Sequence, residues 1–195
     1  MKIGIYGGTF NPPHLGHMTA ARHAMEALGL DELLLIPTAL PPHKLLPDGT
    51  PAPEDRLAMT SILTDNLLLG EKVRVSDLEL RRAGKSYSSD TILELRREYP
   101  TAEFWFLMGS DMFLTLQQWH EPGQLLAQTG VAAFARTQSD PVQAMEDQAS
   151  QLRKTYGAQI QLLHLPEVVE ISSTRLRAAL NQGKGREFLC LPVWG

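Results

Sequence analysis

Cysteine is almost missing from this chain: of 195 residues, one, Cys190, carries a thiol. That excludes an internal disulfide and a cysteine-rich zinc site, and it fits a reducing compartment such as the cytoplasm. Long apolar runs are also missing. None approaches the length needed to cross a bilayer, so no membrane partner is expected. Positive charge is not in surplus: 18 Lys and Arg face 22 Asp and Glu, for a net charge of −4. Such a balance argues against a large nucleic-acid footprint while leaving room for a small basic site. The first residues enter an apolar strand pattern with no n-region or h-region, so no signal peptide is expected. No repeat, low-complexity tract or linker interrupts residues 1–195, which are expected to form a single domain. The composition that remains, 43% hydrophobic and 21% charged, is that of an ordinary globular chain with a sizeable core.

Strand-like and helix-like segments alternate. Lys2 to Tyr6 and Glu32 to Ile36 read as buried strands, the second stopped by Pro37. Residues 41–53 hold five prolines and a glycine and form a loop. The next helix is expected to bury Met59, Ile62, Leu63 and Leu67. A strand around Val73 and Val75, a helix marked by Ile92, Leu95 and Tyr99, and an apolar strand from Phe104 to Met108 follow. Val131 to Ala135 and Ile160 to Leu165 are further strands. A helix from about Pro141 to Tyr156 separates them, and a last helix runs from about Ser173 to Leu180. This order predicts an α/β fold: a doubly wound parallel sheet with helices on both faces. Ligands in such sheets sit beyond the carboxyl ends of the strands. The chemically interesting segments fall there: residues 7–17, 38–44, 109–111 and 171–177.

The first of these reads Gly7-Gly8-Thr9-Phe10-Asn11-Pro12-Pro13-His14-Leu15-Gly16-His17. It joins a strand to a helix whose face is marked by Met18, Ala21, Met25 and Leu28. Gly7 and Gly8 let backbone N–H groups approach an anion, and a helix N-terminus adds free donors and partial positive charge. His14 and His17, three residues apart, can project from one side of the first turn. A histidine pair could also hold zinc, but no third ligand stands nearby in sequence. Ile171-Ser172-Ser173-Thr174-Arg175-Leu176-Arg177 is a second candidate phosphate site, with hydroxyls and guanidinium groups gathered at a helix start. Ser172 or Ser173 can N-cap that helix, and both arginines can equally be solvated. Arg56 reads best as an ordinary charged helix residue. Gly84-Lys85-Ser86 is not a P-loop, because Glu79 stands where its first glycine belongs. Asp90 and Thr91 can cap a helix, and Asp111 suits a helix start.

These segments together resemble the nucleotidylyltransferase superfamily, and most closely its nicotinate-mononucleotide adenylyltransferase branch. Residues 7–17 are similar to that branch's Gly-Gly-Thr-Phe-Asp-Pro-x-His-x-Gly-His element, with Asn11 in place of Asp. Residues 171–177 are similar to its ISSTxIR element, Pro41-Pro42-His43-Lys44 to its PPHK element, and residues 86–91 to its SYTxDT element. Gly109-Ser110-Asp111 is similar to its GxD element, and Trp119 to its ring-stacking tryptophan. The resemblance covers about residues 1 to 180 and implies a Rossmann-like enzyme that transfers AMP from ATP to nicotinate mononucleotide. It implies catalytic roles for His14, His17, Lys44 and Arg175. It implies ATP contacts from Gly7, Gly8, Thr9, Phe10, His17 and Ile171 to Arg175. Acceptor contacts would come from Lys44, Tyr87, Ser88, Asp90, Asp111, Trp119 and Arg136, with Mg²⁺ accompanying ATP and no metal-ligating side chains. Alternatives are a related adenylyl- or cytidylyltransferase, a nucleotide-binding regulatory module without turnover, and a fragment of a class I tRNA synthetase. Neither the oligomeric state nor the role of the tail beyond about residue 180 is legible.

Overall fold

A computed structural model describes residues 1–42, 45–65, 70–135, 141–164 and 171–189. Six strands form one sheet: β1 (Lys2–Gly8), β2 (Glu32–Pro37), β3 (Val73–Val75), β4 (Glu103–Gly109), β5 (Gly130–Phe134) and β6 (Ile160–Leu163). Their order is β3-β2-β1-β4-β5-β6, and every neighbouring pair is parallel. The expected doubly wound α/β sheet is therefore present. Its order reverses between β1 and β4, whose register runs from Lys2 opposite Glu103 to Ile5 opposite Phe106. In this topology the connections after β1 and β4 diverge to opposite faces and leave a crevice between them.

Successive strand residues point to opposite faces, so each strand supplies two cores. Ile3, Ile5, Leu34, Ile36, Phe104, Phe106, Val131 and Ala133 face one way. They pack against α3 (Ser88–Glu98), α5 (Pro122–Gln128) and α6 (Val142–Tyr156) through Ile92, Leu95, Leu125, Met145 and Leu152. Tyr6, Leu33, Leu35, Leu107, Ala132 and Phe134 face the other way, against α1 (Leu15–Leu28) and α2 (Pro53–Asp65). Strands buried on both faces explain why β1, β2, β4 and β5 are near-continuous apolar runs rather than alternating ones.

Three expectations change. The inward face of α2 is Arg56, Thr60, Leu63 and Thr64 rather than the Met59–Ile62 side, and Met59 is only half-buried. Spacings of four and three put these residues on one helical face as well as the apolar set would have been, and α2 packs on polar loops as well as on the sheet. Between β4 and β5 the chain forms two short helices, α4 (Ser110–Phe113) and α5, where no element is anticipated. Four and seven residues are too few to display a helical period. Third, Asp90 and Thr91 do not cap α3: its N-cap is Tyr87, without a side-chain cap bond. The expected contributions of Leu67 and Leu165 lie outside the described residues, as does the tail from Cys190 onward. The last helix, α7 (Ser173–Leu180), begins where expected.

Candidate functional site

A cavity of about 630 Å³ opens over the sheet's switch point. Gly7 to Asn11, His14, His17, Asp111, Trp119 and Ile171 to Thr174 all line it, so residues far apart in the chain meet there as the sequence reading requires. Ser88 joins them, whereas Tyr87 and Asp90 do not. Lys44 and Arg136 lie outside the described residues.

At one end of the cavity the floor is the β1–α1 turn. His14 is the N-cap of α1 and is buried. Its ring centroid lies 3.8 Å from that of His17. The backbone N–H of His14 donates to His17 Nδ1 at 3.2 Å. An accepting Nδ1 carries no proton, so the proton of the neutral ring resides on Nε2, and His17 is set as an Nε2–H donor. Phe10 packs edge-on to His17 at 5.1 Å, and Tyr6 packs edge-on to Phe10 and to Phe134. The aromatic wall excludes water beneath the imidazole and strengthens any charge interaction it makes. Phe10 itself has a φ of 44°, a left-handed conformation that a bulky residue holds only when its surroundings insist on it.

The start of α7 is stitched onto the same turn. The Ser173 hydroxyl donates to the Pro12 carbonyl at 3.0 Å, and the Arg177 guanidinium donates to the Asn11 carbonyl at 2.6 Å. Ser172 caps α7 by accepting the Arg175 N–H. Arg177 lines the cavity, while Arg175 is exposed and does not. Of the two arginines after the Ser172 N-cap, the structure brings Arg177 to the cavity and not Arg175, the one expected there. Asn11 is buried and donates its side-chain amide to the Thr50 hydroxyl at 3.0 Å, and Thr50 donates onward to the Pro47 carbonyl at 2.6 Å. Thr50 has one proton and spends it on Pro47, so it must accept from residue 11. Asn can supply that donor and an ionised Asp cannot.

Arg56 is not a surface charge. It is fully buried, and burial lowers its pKa from the ordinary value. Its guanidinium donates to the carbonyls of Thr9 and Thr38 at 2.7 Å each, of Ala39 at 3.1 Å and of Pro51 at 3.3 Å. Among the described residues it makes no salt bridge. A buried cation bonded only to carbonyls locks the β1 turn to the loop after β2. The signal was legible: Arg56, Thr60 and Leu63 share one helical face.

The cavity is also lined by Thr38, Glu79, Ser86, Ser88, Phe106 and Trp119; the Thr38 N–H donates to the Gly8 carbonyl at 2.8 Å, which joins this lining to the β1 turn. Trp119 stands edge-on to Phe106 at 6.1 Å. Tyr87 stacks against His120 at 4.2 Å, which joins the turn before α3 to the Trp119 segment. Glu79 is a buried carboxyl whose pKa is raised, chiefly by burial and against the pull of Thr91, Thr38, Arg82 and Ser86. Its signal in sequence is slight, a glutamate between Leu78 and Leu80.

No group of three or more His, Cys, Asp or Glu among the described residues could hold a metal ion. No helix there is long and apolar enough to cross a membrane.

A cytidylyltransferase-like family model matches residues 5–179. A protein of Shouchella clausii described as a probable nicotinate-nucleotide adenylyltransferase is 37% identical over 194 residues, 98% of this chain and 91% of its own length. One of Lachnoclostridium phytofermentans with the same description is 35% identical over 190 residues, 96% of this chain and 92% of its own. In fold, the chain resembles Plasmodium falciparum nicotinic acid mononucleotide adenylyltransferase complexed with NaAD. That match has a TM-score of 0.79 and 18% identity, covering 98% of this chain and 92% of that one.

Proposed function

The chain belongs to the cytidylyltransferase-like family, and on that premise we propose that it transfers AMP from ATP to nicotinate mononucleotide, a step of NAD synthesis. A phosphate oxygen of the mononucleotide attacks the α-phosphorus of ATP. The bond from that phosphorus to the bridging oxygen breaks, and pyrophosphate leaves with the electron pair. The products are the dinucleotide and pyrophosphate. Such a reaction requires alignment and charge neutralisation rather than a protein nucleophile.

The observation that carries this reading is the pairing of two helix starts, each next to donors, in one cavity that Trp119 also lines. His17 donates from Nε2, and His14 beside it, to oxygens of the α- and β-phosphates. The N-terminus of α7, with Ser172, Ser173, Thr174 and Arg177, receives the triphosphate, and Lys44 adds charge. Gly7, Gly8, Thr9, Phe10 and Ile171 shape the nucleotide site. The pyridine ring stacks on Trp119, and backbone N–H groups of the turn at Tyr87 and Ser88 receive its carboxylate. Asp111, which lines the cavity, accepts from a ribose hydroxyl, and Arg136 adds to the acceptor's phosphate site. A divalent ion arrives as part of the ATP complex, chelated by phosphate oxygens and retaining its waters; we take it to be Mg²⁺. The reaction belongs in the cytoplasm, in keeping with the near absence of cysteine.

Incubation with ATP, Mg²⁺ and each of nicotinate mononucleotide, nicotinamide mononucleotide, phosphopantetheine and a buffer blank tests the reading. Pyrophosphate release is expected to be fastest with nicotinate mononucleotide. Faster release with phosphopantetheine, or none with any acceptor, overturns it.

A further inference from the structure

Glu79 stands apart from the rest of the cavity wall. It is 4% exposed, it lines the cavity, and its Oε2 has no hydrogen-bond partner. Its other oxygen, Oε1, lies 2.8 Å from Thr91 Oγ1 on α3. Thr91 Oγ1 is also 3.2 Å from the Tyr87 carbonyl and receives an N–H from Arg82 at 3.2 Å.

The protons can be counted. A threonine hydroxyl has one hydrogen to give and two lone pairs to receive. Arg82 fills one lone pair. The Tyr87 carbonyl can only accept, so the hydroxyl hydrogen belongs there if that contact is to be a bond. The contact with Glu79 is then a bond only if Glu79 supplies the hydrogen. A neutral Glu79 satisfies all three contacts at once, whereas an ionised one competes with Tyr87 for a single proton. The geometry agrees with the effect of burial, which disfavours the charged form. Charged neighbours are few: Arg82 on the same turn, itself paired with Glu94 of α3 at 2.7 Å, and Arg56 of α2, which reaches the Thr38 backbone. Thr38 and Ser86 offer only hydroxyls.

Glu79 lines the same cavity as Ser88 and Trp119, residues that the proposed function gives to the acceptor, and Ser86 lies beside it. A carboxylate there would repel a ring that carries a carboxylate and would favour one that carries an amide. We infer that Glu79 is a specificity-determining residue, a carboxyl whose charge state sets how strongly the cavity prefers an acid-bearing ring over its amide. The inference rests on the function proposed above. It also supplies something the backbone turn cannot: a preference that changes with pH.

The test is the ratio of kcat/KM for nicotinate mononucleotide to that for nicotinamide mononucleotide, measured from about pH 5.5 to about pH 9, upward from the ordinary carboxylate range because burial raises the Glu79 pKa. Both acceptors carry the same phosphate, so its ionisation cancels in the ratio. In the wild type the ratio is expected to fall roughly tenfold or more as pH rises, the effect of one like charge brought close in a poorly solvated wall. In Glu79→Gln, which stays neutral and can still donate to Thr91, the ratio is expected to stay flat. A flat wild-type ratio overturns the inference even if the variant does not fold, and so does a variant that keeps the wild-type slope. Turnover of neither acceptor would overturn the proposed function, and this inference with it.

Discussion

The residues proposed to hold the phosphates (the phosphate end) and those proposed to hold the acceptor ring (the acceptor end) are built on opposite plans. The phosphate end comes from two short contiguous segments, residues 7–17 and 171–177, each at the start of a helix. Its groups are backbone donors, imidazoles and a guanidinium, held by bonds from Ser173 and Arg177 that span most of the chain. The acceptor end comes from single residues after β2, after β3, before and within α3, on β4 and after α4. Its groups are hydroxyls, aromatic faces and one buried carboxyl. The difference teaches that a highly charged ligand can be held by local backbone geometry, because helix starts present N–H groups wherever they occur. A ring that differs from its competitor by one substituent needs side chains brought together by the whole fold.

Arg56 is where that contrast is most easily broken, since it underlies both ends. Arg56→Met is expected to leave the carbonyls of Thr9, Thr38 and Ala39 without their donor. Several buried carbonyls losing a charge-assisted partner should cost about 3–5 kcal/mol of stability, at about 1–3 kcal/mol for each acceptor left unsatisfied. Urea melts of wild type and variant measure it. A loss below about 1 kcal/mol would return Arg56 to the rank of an ordinary helix charge.

At the phosphate end alone, His17→Ala is expected to keep the fold and to lower kcat by roughly 10²–10³-fold, the usual loss when one donor to a developing charge is removed. The KM for ATP should move far less. Near-normal turnover would remove His17 from the chemistry.

Legibility in the sequence follows the same division. All six strands and the parallel order could be read, because strands buried on both faces are apolar throughout, as Phe104 to Met108 is. The phosphate end was readable for the same local reason: residues 7–17 form their strand, turn and helix start in one stretch. The ISSTxIR element places its arginine at 177, the residue that lines the cavity, whereas the expectation named Arg175, which stands at the element's variable position and is exposed. At the acceptor end, Trp119 and the turn before α3 were found through a family pattern rather than through physics. Thr38 was reached only as the first residue of the segment after β2, and Glu79 was not found as a functional residue. Their proximity exists only once β2, β3 and α3 are packed. Arg56 was misread because a charged residue on a helix is usually solvated, and only its shared face with Leu63 argued otherwise.

The corrected assignment can be sharpened by a paired experiment. Arg177→Gln is expected to lower kcat/KM for ATP roughly tenfold to a hundredfold, the loss of a charge-assisted bond to the Asn11 turn together with a phosphate contact. Arg175→Gln should change it by less than about threefold, as suits an exposed helix charge. The reverse ranking would mean that α7 meets the phosphates with its other side.

The smallest effect expected concerns Trp119, and it tests whether the acceptor end separates affinity from choice. An indole face attracts an aromatic ring through dispersion and its quadrupole, and such contacts contribute about 1–3 kcal/mol per stacked ring. The faces of a pyridinium carboxylate and a pyridinium amide are alike, and their substituents lie in the ring plane, away from the indole. Trp119→Ala should therefore lower kcat/KM for both mononucleotides by a similar factor, roughly tenfold, while their ratio moves by less than about threefold. The ratio should still fall with rising pH in this variant, because Glu79 and its contact with Thr91 do not involve the indole. Measuring both acceptors at a low and a high pH checks both statements in one set of assays. A ratio that collapses at both pH values would mean that the indole aligns the ring with its selective contacts. Affinity and choice would then be a single property of the acceptor end, as they are at the phosphate end, where the groups that bind are also the groups that neutralise charge.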